Sequence, residues 1–354
     1  MMNKKIIYFS ESQKKSDDSS LRSLEKFDSN EIDLILSANT LILMKHWIKF
    51  QQEWINNIYK EFKDYDKYIV LMYLISKSWE NDIDLFKFYS IDEYYSKEEI
   101  RLPNISLLEL SNNLKIPKET IRRKLVELEK QSLIKREGQK IFLAQSALNM
   151  QKPENSIKNI SIFLEKLSIL MSTQDWFGPS IKRENIELYF KKYYTIFWNR
   201  YFKLQIPFLI RWKTIFGDLE SFVIWGNMGI NHNIILERNL READIESNDS
   251  ETKKKRYIEN ILSMRDNEAN KSMRGINAAS IAEISSIPRA TVIRKLKFLS
   301  KEKIIKRNKK LEYFLTSQGK LNEKIKVNYY VNQKHIALFI TDIFNLIKRS
   351  SLKI

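Results

Sequence analysis

Leu41, Met44, Trp47, Ile48, Trp54, Ile55, Ile58 and Phe62 recur at helical spacing, which predicts a long amphipathic helix over 37–62. "KYIVLMYLISKSW" (67–79) is apolar on most faces and predicts a buried helix; a polar connector spotted with aromatics runs on to 104. "NSIKNISIFLEKLSILM" (155–171) returns to an amphipathic period. "RENIELYFKKYYTIFWNRYF" (183–202) predicts a long aromatic helix that Pro207 should end or kink. "LESFVIWGNMGI" (219–230) and "NYYVNQKHIALFITDIFNLIKR" (328–349) predict helical segments as well. Residues 1–30 are polar and without period, as expected of a disordered arm. Residues 241–275 are charged and read as mostly loop or disordered, with one short helix around 255–264.

A different pattern interrupts these helices, and it occurs twice. "IPKETIRRKLVELEKQSLIKR" (116–136) and "IPRATVIRKLKFLSKEKIIKR" (287–307) lie 287 − 116 = 171 residues apart. Aligned without a gap, 105–136 and 276–307 are identical at 12 of 32 positions. Several other positions swap like for like, as Leu110/Ile281 and Leu133/Ile304 do. Residues 219–230 match 65–76 at a spacing of 154, so the second stretch holds 171 − 154 = 17 further residues before its motif. We read an internal duplication. The first unit spans 31–175 with its motif at 105–145; the second spans 183–350 with its motif at 276–316 and the charged insert 241–275.

The motif has a physical reading of its own. Leu107, Leu110 and Leu114 line one side of a short helix, and "KIP" makes a corner. Pro117 starts the next helix, where its missing N–H costs nothing. Ile121, Leu125 and Leu128 fall at i, i+4 and i+7 and bury against the first helix. The expected outer face carries Lys118, Thr120, Arg122, Arg123 and Lys124. "SLIKR", "EGQK" and "IFLAQ" (132–145) then read as strand, turn and strand. Two helices meeting at a corner, followed by a basic hairpin, make a winged helix-turn-helix.

The pattern I-P-x-x-T-[IV]-x-R-K-L-x-x-L-x-x-x-x-[LI]-I-K-R resembles bacterial winged-helix transcription regulators, including the multiple-antibiotic-resistance regulator (MarR) type. The resemblance implies that the second helix enters the DNA major groove, that the hairpin wing touches phosphates or the minor groove, and that the long flanking helices form a dimer-like interface. It places Lys118, Thr120, Arg122, Arg123 and Lys124 on DNA in the first copy, with Lys135, Arg136 and Lys140 on its wing. The second copy would use Arg289, Thr291, Arg294 and Lys295, with Lys306, Arg307, Lys309 and Lys310 on its wing. Two departures stand out. Ser132 and Lys303 occupy the position where the family usually has glycine, so that corner is expected to be built differently. The Asp-x-Arg wing signature of the MarR type is missing from both copies.

Charge sharpens the picture. The net charge is +17. Window 118–140 holds 8 basic and 4 acidic residues, and 289–311 holds 10 and 1, so 4 + 9 = 13 of the 17 net charges sit in the two motifs. Such clustering suits a polyanionic partner, double-stranded DNA. The copies differ at the contact face, with Glu119/Ala290 and Arg122/Ile293, so two unlike half-sites are expected. Two readers on one chain remove the need for an oligomer to engage them.

Other classes find little material. Seven glycines and six prolines in 354 residues disfavour a strand-rich fold, and we see no phosphate-cradling loop, nucleophile elbow or paired carboxylates, so no enzyme is expected. Cysteine is absent, which excludes disulfides and thiol chemistry. His46, His232 and His335 lack metal-ligand spacing, and no cofactor is implied. No apolar run approaches membrane-spanning length and no signal segment is visible, which points to a cytoplasmic protein. Tyr189 to Phe202 is read either as core or as the lining of a pocket for a small aromatic effector. The expected whole is mainly α: two tandem winged helix-turn-helix units packed as a pseudo-dimer through long flanking helices. Its expected function is sequence-specific DNA binding as a transcription regulator. A winged-helix interaction scaffold and a tandem winged-helix replication initiator are the alternatives.

Overall fold

The computed structural model describes residues 26–84, 87–138, 140–150, 152–174, 176–242, 275–316 and 319–351. Residues 1–25 of the expected arm and 243–274 of the charged insert lie outside the described residues. The described chain is mainly helical with small sheets.

The chain opens on α1 (Ser29–Ala38), α2 (Thr40–Phe62) and α3 (Tyr65–Asp84). The single helix expected over 37–62 is thus preceded by another, and the break falls at Asn39. Asp28 caps α1 by accepting from the Asn30 N–H at 3.0 Å. Phe27 is already ordered, buried against Phe177 and Phe344, so structure starts earlier than residue 31. The connector is not featureless: Ser90 starts α4 (Ile91–Tyr95) with a capping box to Glu93, and Glu99–Leu102 forms β1. Then come α5 (Leu107–Leu114), α6 (Lys118–Lys130), β2 (Ile134–Glu137), β3 (Lys140–Ala144), α7 (Gln145–Met150) and α8 (Glu154–Met171).

The second half runs α9 (Arg183–Lys192), α10 (Tyr194–Phe216) and α11 (Leu219–Glu242). It continues with α12 (Ala278–Ser285), α13 (Arg289–Lys301), β4 (Ile305–Arg307), β5 (Tyr313–Leu315) and α14 (Leu321–Ser351). The helix expected over 183–202 breaks at Tyr193, and Pro207 does not end it. A proline inside a helix costs ~3 kcal/mol. Ile206, Leu209 and Trp212 are buried on both sides of it, and that burial holds α10 together to Gly217. Gly217 ends it in the left-handed conformation at φ 80°.

Long helices make the centre. α10 packs on α3 and α14, α11 packs on α2, and α8 packs on α2 and α9. The chain's two described ends meet, since α1 lies on α14 and the Phe27 N–H donates to Asn345 Oδ1 at 3.0 Å. Aromatics fill the middle: Trp54 meets Trp198 at 5.4 Å and Phe50 meets Tyr201 at 5.2 Å. Buried polar links fix the register between helices, with Gln52 Nε2 donating to Asn227 Oδ1 at 2.8 Å and Ser76 Oγ to Asn199 Oδ1 at 2.7 Å.

Tyr194, Phe197, Trp198, Tyr201 and Phe202 are buried in this centre. The cavity beside them measures about 120 Å³. Small-molecule sites are usually ~300–1,000 Å³. The stretch is core, and the aromatic effector gains no support here. Among the described residues, no helix is long and apolar enough to cross a membrane, and no cluster of three metal-ligating side chains occurs.

Candidate nucleic-acid interface

Local chemistry builds the two short helix pairs, α5 with α6 and α12 with α13. Ser106 caps α5, accepting from the Glu109 N–H at 3.1 Å, and Asn277 caps α12, accepting from the Ser280 N–H at 2.9 Å. Lys115 (φ 55°) and Ser286 (φ 58°) close those helices in the left-handed conformation. Pro117 and Pro288 then stand at the N-caps of α6 and α13. Ile121 and Leu128 are fully buried against Leu110 and Leu114, and Val292, Leu296 and Leu299 are buried in the same way beside Ile281.

The wings follow. β1, β3 and β2 form an antiparallel sheet in that order, with Ile100 opposite Leu143 and Ile134 opposite Leu143 on the other side. β4 pairs with β5, and a single bridge from Ile276 to Tyr313 stands where β1 stands in the first sheet. Ser132 (φ 56°) and Lys303 (φ 55°) take the left-handed conformation that glycine usually supplies at this corner. The corner is therefore not built differently; it keeps its shape and carries the strain of a side chain. Ser132→Gly and Lys303→Gly should each stabilise the protein by about 1 kcal/mol, read as a higher midpoint in urea.

The expected contact residues divide by environment. Lys118, Arg122, Arg123, Lys135, Arg136 and Lys140 are exposed, as are Arg289, Arg294, Lys306, Arg307, Lys309 and Lys310. Thr120 and Thr291 are partly buried. Lys124 and Lys295 do not lie on the outward face. Lys124 is buried and its Nζ lies 2.8 Å from Asp64 and 3.0 Å from Glu127. Burial pushes its ammonium down, but the hydrogen bonds and charges of Asp64 and Glu127 outweigh this and hold it above the usual lysine value. Lys295 is partly buried and pairs with Asp218 at 2.5 Å. Both aspartates also cap the helices they precede: Asp64 accepts from Lys67 N–H and Asp218 from Ser221 N–H, each at 2.8 Å. These lysines anchor the second helix of each motif to the helical centre.

The two outward faces differ in charge. On the first, Arg122 lies 3.5 Å from Glu119, Arg123 lies 3.7 Å from Glu127, and Lys135 lies 2.6 Å from Glu137. Arg136 is held by Glu129, which raises the guanidinium's affinity for its proton. On the second, no ion pair is formed by Arg289, Arg294, Lys306, Arg307, Lys309 or Lys310 among the described residues. Arg307 instead lies over the Tyr313 ring at 5.8 Å. Sequence reasoning missed Lys297 and Lys301, which share the exposed face of α13 with Arg294. Their spacing of three and four from Ile293, Arg294 and Lys297 was the available signal.

Residues 102–138 match the family model of the DeoR-like helix-turn-helix domain. The match runs from the end of β1 through α5, α6 and β2 and supports a winged helix-turn-helix DNA-binding protein. No curated protein and no solved structure matches the chain.

Proposed function

We propose that the chain is a sequence-specific, double-stranded DNA-binding transcription regulator carrying two tandem winged helix-turn-helix units that arose by duplication. The observation that carries the reading is the pair of outward-facing basic helices and hairpins, each anchored from behind by an Asp–Lys pair. Repetition in the fold supports the two-unit part. A shift of 183 − 29 = 154 carries the bounds of α1 and α2 onto those of α9 and α10. A shift of 278 − 107 = 171 carries α5 and α6 onto α12 and α13. The same shifts take Asp64 onto Asp218, Lys124 onto Lys295 and the left-handed Ser132 onto Lys303. Packing repeats too: α2 on α11 answers α10 on α3, and α8 on α9 answers α14 on α1. This reciprocity suits a pseudo-dimer within one chain, the architecture the MarR-type resemblance implies.

On this reading, Lys118, Thr120, Arg122, Arg123, Arg289, Thr291 and Arg294 face the groove, joined by Lys297. The wing cations meet phosphates. Lys124 and Lys295 position α6 and α13 and touch no DNA. The half-sites are unlike in sequence, and the second unit supplies more of the non-specific affinity because its outward cations form no ion pair among the described residues.

Fluorescence anisotropy tests the proposal, with duplex from upstream of the chain's own gene set against scrambled duplex across a salt series. Tight binding to the upstream duplex at physiological salt, with weak binding to the scramble, is the expected result. Equal and steeply salt-dependent binding would remove sequence specificity for that duplex. No binding at low salt would overturn the DNA reading in favour of an interaction scaffold.

A further inference from the structure

The first two turns of α6 and α13 differ in one coherent way. In α6, Glu119 and Arg122 are exposed and form an ion pair at 3.5 Å. In α13, the corresponding Ala290 and Ile293 are both exposed and both apolar. Residues three apart on a helix are surface neighbours, so a charged pair on one helix is replaced by an apolar pair on the other. Ile293 is 37% exposed although its neighbours on the chain, Val292 and Leu296, are fully buried. Arg294 and Lys297 flank it on the same exposed face. A β-branched apolar side chain among cations on the water side of a helix serves neither helix propensity nor solubility. It gains free energy only when something apolar covers it.

In the major groove, the apolar feature that distinguishes one base pair from the others is the thymine methyl group. We propose that Ala290 and Ile293 form a methyl-reading patch, so that the duplex half-site met by α13 requires thymine where α6 meets a pair read by Glu119 and Arg122. The inference rests on the DNA-binding reading above and adds the identity of a base to it. Arg294 and Lys297, on either side, hold the patch against the groove by their charge. α6 offers a carboxylate and a guanidinium instead, groups that suit the cytosine amino group and the guanine edge.

The test begins with duplexes selected by the purified full chain from a randomised pool. Each thymine of the selected duplex is replaced in turn by uracil, which deletes the methyl group alone. Uracil at one or two positions in one half-site is expected to weaken binding about fourfold each, the worth of one buried methyl. Ile293→Ala should bind the thymine duplex more weakly and show no further loss with uracil at those positions. Glu119→Ala with Arg122→Ile, put through its own selection, should enrich thymine in the other half-site and lose affinity when that thymine is replaced by uracil. A flat uracil scan for the unmodified chain, or equal uracil losses for it and for Ile293→Ala, would overturn the methyl reading while DNA binding stands. Failure to enrich any duplex would overturn the DNA-binding reading and this inference with it.

Discussion

Replacing Lys306, Lys309 and Lys310 together by alanine is expected to reduce the slope of log K against log salt for duplex DNA by roughly three. Each phosphate contact accounts for about 0.9 of that slope through counterion release. These lysines are exposed and, among the described residues, carry no ion pair, so each is available in full. The matching change in the first wing, Lys135→Ala with Arg136→Ala and Lys140→Ala, should move the slope by only about one. Lys135 and Arg136 already pair with Glu137 and Glu129, which leaves Lys140 as the wing cation with no ion pair among the described residues. Anisotropy titrations at several salt concentrations measure both. Equal slope changes would mean that the first wing's carboxylates release their partners on binding, and the proposed inequality of the two units would fall. Arg123→Ala with Arg294→Ala should act differently, relaxing sequence preference by roughly 1–3 kcal/mol per site.

The second large effect is on stability. Asp64→Ala should cost about 3 kcal/mol, because it removes two interactions at once. The Lys124 ammonium, only 9% exposed in its side chain, loses its closer carboxylate, and the first turn of α3 loses its cap. Lys124→Met should cost under about 1 kcal/mol, since a methionine fills the same apolar channel and the carboxylates left behind can be solvated. Asp64 and Glu127 are 31% and 35% exposed, which permits that solvation. Urea unfolding of both variants gives the comparison. A Lys124→Met cost as large as that of Asp64→Ala would show that the lysine stem, and not a stranded charge, decides the effect. Asp218→Ala should behave like Asp64→Ala with a smaller loss, because Lys295 keeps 16% of its side-chain surface in water.

The same lysines show where sequence reading reached its limit. The period of Ile121, Leu125 and Leu128 gave the buried side of α6, and the structure keeps it. The same period puts position 124 on that buried side, three residues after Ile121 and four before Leu128; only its charge led to the expectation that Lys124 lies outside. The partner that pulls Lys124 inward, Asp64, lies sixty positions earlier and belongs to a different helix. The local pattern marks the position as inward but does not name that partner. The corner at Ser132 and Lys303 illustrates the converse, for a strong local rule about glycine gave way to the hydrogen bonds Leu133 N–H to Leu128 O and Ile304 N–H to Leu299 O. Those bonds, at 3.0 and 3.2 Å, hold the turn whatever side chain it bears.

By itself, the sequence determined that this is a mainly helical protein with a helix-turn-helix, matched at 102–138, and that two short helices and a strand pair recur from 278 to 315. Both follow from short-range physics: hydrophobic period, capping residues and proline placement act within a few positions of one another. The tertiary structure alone decided that α10 runs unbroken past Pro207, that the aromatic stretch is core, and that Lys124 and Lys295 are anchors. It also decided which exposed cations already have carboxylate partners and which have none among the described residues. Each of these depends on groups distant in the chain meeting in space, where burial and ion pairing outweigh the local preferences that a sequence displays.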